Sequence, residues 1–324
     1  MTEGNSNSTR VLVADDDPVA RSMLQTLLIK WGYDVVSVSD GLAALRILEG
    51  PDAPELAVLD WMMPGAEGPE ICERIRAISD RPYVYILLVT SRSRRTDMAN
   101  GFESGADDYL TKPLDADELR ARLRVGLRIL DLQRSLIAAR EELRFKATHD
   151  ALTGIANRAT VLEAVNRERS RQVREGSPFG VVLIDVDHFK RVNDGCGHLA
   201  GDVVLKTVAE RIAGCVRPYD TVGRYGGEEF LVVAPLSDAP GTLSLAERIR
   251  KRIESAAIDT TCGPISITVS CGVAASKGHE PPEIHALLYL ADQALYCAKD
   301  RGRNRCELGS IEQVLPPAAP VGRG

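Results

Sequence analysis

Within the first 127 residues, short apolar runs alternate five times with helix-length amphipathic stretches, and that alternation leaves few folds open. The runs are 11–14, 34–38, 56–59, 83–89 and 108–110. The helical stretches are 18–31, 42–48, 68–78, one near 94–104, and a last one from Asp115. Strands separated by helices must run parallel, because each crossover returns the chain to the same edge. The expected result is a parallel sheet covered on both faces, with ligands at the carboxyl ends of its strands.

Those ends are where the polar residues fall. The first run leads into Asp15, Asp16 and Asp17, the third into Asp60, the fourth into Thr90 and Ser91, and the fifth into Lys112 and Pro113. One acid at a strand end is an ordinary cap. Several carboxylates converging on one edge repel each other unless a hard cation with oxygen ligands, such as Mg²⁺, lies among them. A strand-end hydroxyl and a Lys-Pro in the same set are harder to explain by structure alone.

On these residues, 9–127 resembles the receiver domain of two-component response regulators, a flavodoxin-like (βα)5 fold. The resemblance implies that Asp60 accepts a phosphoryl group from a cognate histidine kinase. It further implies that Asp15, Asp16, Asp60 and the Met62 carbonyl hold Mg²⁺, that Thr90 and Lys112 bind phosphoryl oxygens, and that Tyr109 is the aromatic that repositions afterwards. In-line attack by a carboxylate needs such positive charge to offset that of the phosphoryl group.

From Val125, apolar residues recur at Ile129, Leu132, Leu136, Ala139 and Leu143, with spacings of 4, 3, 4, 3 and 4. This is a heptad seam flanked by charged residues. It is either one amphipathic helix packed on its own domain or, as expected here for 128–148, a coiled-coil linker that joins two copies and transmits rotation or register.

In the second half, an apolar run over 179–184 ends in Asp185, Val186 and Asp187. An acid ending an apolar strand is costly to bury without a partner, so Asp185 calls for a cation. Asp187 either caps the next helix or joins that cation. Further on, two strand-like runs, 221–225 and 230–234, flank Gly226, Gly227, Glu228 and Glu229. The glycines read as a tight hairpin turn, since such turns require positive φ. Its two acids are a solvated tip unless the hairpin lies beside Asp185, in which case Asp185, Glu228 and Glu229 form a two-metal carboxylate site. Helices are expected over 159–174, 200–216, 243–256 and 283–301, and a strand over 265–273. The sum is an α/β sandwich on an antiparallel or mixed sheet.

The Gly226-Gly227-Glu228-Glu229-Phe230 hairpin, with the upstream Asp150-Ala151-Leu152-Thr153-Gly154 and Asp185-Val186-Asp187-His188-Phe189-Lys190, is similar to the GGDEF family of diguanylate cyclases over 149–308. The resemblance implies a nucleotide-cyclase or polymerase-palm fold and a nucleotidyltransferase that condenses two GTP into cyclic di-GMP and two pyrophosphates. Glu228 replaces the family's Asp. By resemblance, Asp185, the Val186 carbonyl and Glu228 bind Mg²⁺ or Mn²⁺, and Glu229 assists the second metal or the attacking 3′-hydroxyl. Asn193 and Asp202 read guanine, while Lys299, Arg303 and the backbone at Phe189 and Lys190 hold phosphates. Lys299 and Arg303 would otherwise be ordinary charge at a helix end. Arg217 and Asp220 fit the family's inhibitory Arg-x-x-Asp site, with Arg248 a second contact, although the pair alone is a surface ion pair. Symmetric condensation needs two facing protomers, so a homodimer or larger assembly is expected.

Composition narrows the remaining classes. The formal charge, 40 basic minus 46 acidic residues or −6, offers no field for a nucleic acid polymer and disfavours a DNA-binding regulator. Seven scattered cysteines without a Cys-x-x-Cys pair point to reduced thiols in a cytoplasmic setting. The polar start and the lack of a long apolar run argue against a signal peptide or membrane span. The Pro-, Ala- and Gly-rich tail, 309–324, reads as disordered. The reading is a phosphorylation-regulated diguanylate cyclase under product feedback; the alternative is a catalytically silent GTP or cyclic di-GMP binding protein.

Overall fold

The computed structural model describes residues 9–78, 81–91 and 104–309. Contacts divide the chain into two compact units, Met1–Arg140 and Glu141–Gly324.

In the first unit the strands are β1 (Arg10–Ala14), β2 (Asp34–Val38), β3 (Leu56–Asp60), β4 (Tyr85–Thr90) and β5 (Asp108–Thr111). They pair in parallel in the order β2-β1-β3-β4-β5. β1 and β3 are neighbours, so their carboxyl ends, where Asp15 and Asp60 stand, share one edge. Helices α1 (Pro18–Lys30), α2 (Gly41–Leu48), α3 (Gly68–Arg76) and α4 (Ala116–Thr148) complete the described part. Asp17 starts α1 by accepting from Val19 N at 2.9 Å, with Pro18 fixing φ in the first turn. Successive strand residues serve opposite cores: Leu12, Leu59 and Leu88 lie in one, and Val13, Val58 and Val89 in the other. The helix expected near 94–104 lies outside the described residues except at Ser104.

The last helix, α4, runs without interruption for 33 residues. Leu119, Leu123, Gly126 and Leu130 are buried, and a Cβ on Gly126 would stand 2.6 Å from the Tyr85 ring. Beyond them Leu132, Leu136 and Leu143 are 62%, 69% and 67% exposed, so this part of the seam does not pack on the chain's own core.

The second unit holds a mixed sheet, β12-β11-β6-β8-β7, built from β6 (Phe179–Val186), β7 (Thr221–Arg224), β8 (Glu229–Pro235), β11 (Val269–Ser276) and β12 (Cys306–Leu308). β6 is antiparallel to both neighbours, and only β11 and β12 are parallel. The helices are α5 (Arg158–Glu175), α6 (Phe189–Cys196), α7 (His198–Ala213), α8 (Ala239–Glu254) and α9 (Ile284–Asp300). All eight residues of β6 are buried. Val182, Ile184 and Val186 share a core with α7 and α8, while Phe179, Val181 and Leu183 share one with α5 and α9. Each such Val, Leu or Ile contributes about 1.5–3 kcal/mol. That burial offsets the cost of ending the strand on Asp185.

The structure corrects two expectations. The strand expected over 265–273 is split, because 258–265 fold back as a separate antiparallel hairpin of β9 (Ile258–Thr260) and β10 (Gly263–Ile265), and β11 begins only at Val269. The cysteines are not all reduced thiols: Cys196, at the end of α6, is bonded to Cys262 in that hairpin, with Cα atoms 6.0 Å apart. Sixty-six residues separate the two, so their meeting is a product of the fold and no local spacing signals it. Cys72, Cys215, Cys271, Cys297 and Cys306 are free.

Candidate functional site

The first unit gathers its acids as the strand ends predict. Asp15 and Asp60 are buried and Asp16 is exposed, and one carboxylate oxygen from each lies within 4.8 Å of the others. Among the described residues no other three potential ligands come so close. Lys112 Nζ reaches Asp15 at 3.0 Å and Asp60 at 3.2 Å, and Trp61 N donates to Asp60 at 2.9 Å. Burial raises the Asp60 pKa, the Lys112 charge opposes this, and the Asp15 charge adds to it. Burial also works against the Lys112 charge, but hydrogen bonding to Asp15 and the charge of Asp60 outweigh it, and the Lys112 pKa is raised. Two acids held against their own repulsion, a third beside them and one lysine form a donor set suited to a small divalent cation. Thr90 is buried at the end of β4, Tyr109 is half-buried on β5, and Met62 is exposed just past Asp60.

In the second unit, the antiparallel register of β6 and β8 sets Asp185 opposite Glu229. Residues two apart share a face, so Asp185 follows Leu183 and Glu229 precedes Leu231 on the side packed by α5 and α9. Lys299, on the last turn of α9, reaches Asp185 Oδ2 at 2.7 Å. Burial raises the Asp185 pKa, with Lys299 opposing and Asp187 reinforcing the shift. Glu228 and Glu229 are raised first by burial and then by the Asp185 charge. These three acids are not drawn within 4.8 Å of one another as the receiver trio is, but with Lys299 on Asp185 they gather charge suited to a divalent cation and the phosphates it would accompany.

The turn itself differs from expectation. Neither Gly226 nor Gly227 has positive φ. A Cβ at 226 would stand 2.5 Å from Glu229 Oε2 and would displace that carboxylate, whereas Gly227 faces open space. The turn closes through Tyr225 N and Gly226 N, which donate to Glu229 O at 2.8 and 3.2 Å. Arg224 braces it by donating to Gly227 O at 2.7 Å and to Asp150 at 3.2 Å. Asp150 also accepts from Thr153 N and Oγ1 at 2.9 and 2.7 Å. Burial opposes the Asp150 charge, but those bonds and Arg224 outweigh it and lower its pKa. The sequence marks Asp150 and Thr153 as part of a pattern; their structural place is as a brace behind the acid-bearing turn.

Asp187 does not cap α6. His188 occupies the cap position, and both Asp187 oxygens accept hydrogen bonds from within the chain. Asn193 lies against α7 so closely that a Cβ on Gly201 would be 2.0 Å from its Oδ1, and half-buried Asp202 follows on the same helix. Phe189 is buried in the core and Lys190 is exposed. Exposed Arg303 acts electrostatically on Asp185. Arg217, Asp220 and Arg248 line one cavity of about 210 Å³, in which Asp220 accepts from Arg217 N at 2.8 Å and Arg248 donates to Cys215 O at 2.8 Å. The Arg217 guanidinium bonds to the Tyr219 hydroxyl at 2.9 Å and makes no ion pair with Asp220.

Comparison with known proteins agrees with both halves. The response regulator receiver domain model matches residues 11–124, and the model for the diguanylate cyclase GGDEF domain matches 147–305. The response regulator PleD of Caulobacter vibrioides is 33% identical over 303 residues, 91% of this chain and 64% of that protein. Diguanylate cyclase DgcP of Pseudomonas aeruginosa is 43% identical over 168 residues, 52% of this chain and 25% of that protein. The chain therefore spans less than two thirds of either relative. Among solved structures, the coiled coil and GGDEF domain of DgcB from Caulobacter crescentus, in complex with c-di-GMP, is 32% identical with a TM-score of 0.52, covering 59% of this chain and 99% of that one. No helix among the described residues is long and apolar enough to cross a membrane. With its parallel-sheet unit and its mixed-sheet unit both matched, the chain belongs to the GGDEF family and carries that domain behind a response regulator receiver domain.

Proposed function

We propose that this chain is a diguanylate cyclase whose activity is set by phosphorylation of Asp60 in its own receiver domain. The observation that carries the reading is the cross-strand pairing of Asp185 with Glu229, beside Glu228 and within 2.7 Å of Lys299, on a GGDEF-family fold. Asp185, Glu228 and the Val186 carbonyl would hold Mg²⁺ or Mn²⁺. When bound, such ions activate the 3′-hydroxyl and offset charge on the α-phosphate. Glu229, opposite Asp185 across the strands, would assist the second metal or accept the hydroxyl proton. Lys299 and Arg303 orient the terminal phosphates, backbone at Phe189 and Lys190 supports them, and Asn193 with Asp202 recognises the guanine edge.

The turn brings only one set of acids, so two protomers, each with one GTP, must face each other for two bonds to form. The exposed seam of Leu132, Leu136 and Leu143 is the surface suited to joining them. The receiver acids Asp15, Asp16 and Asp60, with the Met62 carbonyl, would hold a further Mg²⁺. A cognate histidine kinase would phosphorylate Asp60, with Thr90, Tyr109 and Lys112 responding to the new charge. The cavity of Arg217, Asp220 and Arg248 suits a phosphate and guanine of the product, and so feedback inhibition. A cytoplasmic location fits these substrates.

The deciding experiment gives the purified chain GTP and Mg²⁺ with and without acetyl phosphate, follows cyclic di-GMP by chromatography, and measures assembly by sedimentation. Acetyl phosphate should raise product formation together with the assembled fraction. GTP binding without cyclic product in either condition would overturn the cyclase reading in favour of a silent sensor.

A further inference from the structure

Asp187 is 4% exposed and carries a carboxylate. Its oxygens accept from Ser270 Oγ at 2.7 Å, Thr268 Oγ1 at 2.7 Å and Asn304 N at 3.1 Å, and its own N–H donates to Thr268 O at 3.0 Å. Among the described residues it forms no ion pair with Lys or Arg within 4.0 Å. A buried carboxylate held only by neutral donors is costly, and three charge-assisted hydrogen bonds are what make it tolerable. Two of the donors come from the start of β11 and its approach, but the third is a backbone N–H 117 residues away in sequence.

That third donor belongs to an unusual turn. Gly302, Arg303 and Asn304 follow one another with φ of 104°, 62° and 49°. Left-handed backbone at two successive non-glycine residues persists only where its surroundings fix it. The Asn304 side chain supplies part of that fixation by accepting from Arg250 and donating to Glu254, both at 2.8 Å. Its N–H is fixed by Asp187. Between Gly302 and Asn304 stands exposed Arg303, whose N–H donates to Ala298 O at 3.0 Å, next to the Lys299 that reaches Asp185 at 2.7 Å.

We propose that Asp187 is a positioning residue for nucleotide phosphates: through Asn304 N it locks the 302–304 turn and thereby aims Arg303 beside Asp185. The inference rests on the proposed nucleotide site and assigns Asp187 a role distinct from metal ligation. Its chemistry is held entirely within the chain, so substitution should misplace Arg303 without removing a donor to the cation.

The test measures binding of a GTP analogue with a methylene bridge between the α- and β-phosphates, by calorimetry on the full chain with Mg²⁺. Asp187→Asn keeps the shape but removes the charge that strengthens the bond to Asn304 N, and should weaken analogue binding roughly tenfold. Arg303→Ala should weaken it similarly, and the double variant should bind no more weakly than the weaker single one, because both act through the same contact. The Mg²⁺ concentration that half-saturates analogue binding should be unchanged by Asp187→Asn. Wild-type affinity in Asp187→Asn, additive losses in the double variant, or a shifted Mg²⁺ requirement would each overturn the proposal. If Asp187→Asn does not fold, as judged by circular dichroism, Ser270→Ala decides: about threefold weaker binding supports the proposal and unchanged binding overturns it. A wild-type chain that binds the analogue but makes no cyclic product from GTP would sink the cyclase reading and leave this one standing.

Discussion

The two acidic sites are built from opposite strand geometries. In the receiver unit, acids at the ends of parallel neighbours are drawn into one cage, with Lys112 touching two of them and three carboxylate oxygens within 4.8 Å. In the GGDEF unit, antiparallel pairing lays Asp185 and Glu229 across a sheet, Glu228 sits on the turn, and Lys299 touches only Asp185. Parallel ends converge because every loop leaves from the same edge. An antiparallel pair shares acids between a strand end and a strand start, which leaves the site open on the side of the turn. The cage suits one small ion and a phosphoryl group; the open shelf suits a nucleotide, which on the proposed reading a second protomer completes.

The largest test of this contrast is Glu228→Gln, expected to lower cyclic di-GMP formation by about 10²–10³-fold while leaving the fold intact by circular dichroism. Retained turnover would remove the turn from the chemistry and leave only the cage. Next, Asp60→Asn should abolish the response to acetyl phosphate and keep basal turnover; a persisting response would mean the acceptor lies elsewhere. Leu136→Asp, on the exposed seam, should shift sedimentation toward monomer and lower activity roughly tenfold at a fixed concentration, equivalent to about 1.4 kcal/mol of association. A variant that sediments and turns over like the wild type would show that the open shelf is completed without the seam. Arg217→Ala should raise the plateau of product accumulation without changing the initial rate, and an unchanged plateau would leave the cavity with no regulatory part.

The smallest effect concerns pH. Asp60, Asp185, Glu228 and Glu229 all have raised pKa values, so the folded chain holds protons there more tightly than the unfolded chain does. The stability they contribute is present below ordinary carboxylate pKa values and is lost as pH rises through the raised ones. Asp150, with a lowered pKa, works in the opposite sense and loses its contribution as pH falls. Glu142, Glu175, Glu247 and Glu254 share the Asp150 direction, but these lowered groups lose their contribution only below the ordinary carboxylate range, so the four raised groups predict a melting temperature that falls modestly from pH 5 to 7.5 without Mg²⁺ and recovers more at pH 7.5 when Mg²⁺ is added. A melting temperature that rises over that interval would show that the acids are less strained than their burial implies.

Much of this was legible in the sequence, for physical reasons that differ by element. The five-fold alternation fixes a parallel sheet, and an apolar run ending in Asp185 fixes a buried strand with an acid at its edge. The strands β9, β10 and β12, of three residues each, are too short to show any periodicity. The hairpin glycines were legible as a turn but for the wrong reason, since neither has positive φ; Gly226 instead leaves the Glu229 carboxylate its present room. The Cys196–Cys262 bond and the bonds of Asp187 to Thr268, Ser270 and Asn304 join residues 66 to 117 apart, which no local pattern can reveal. Asp187 shows the limit well: the same residue in the same motif admitted a cap or a metal ligand, and in the fold it does not cap the helix but binds Thr268, Ser270 and Asn304.

The reach of that last bond has a consequence for how the domain comes into being. Asp185, Glu228 and Glu229 can meet as soon as β6 and β8 have paired, but the turn that Asp187 grips is not made until residue 304, and β12 must then dock parallel on β11. Closing a loop of more than a hundred residues is among the later events available to such a chain. A polypeptide emerging from the ribosome would therefore display its acids well before the 302–304 turn is made, and the order of synthesis itself leaves that end of the sheet open until the domain is whole.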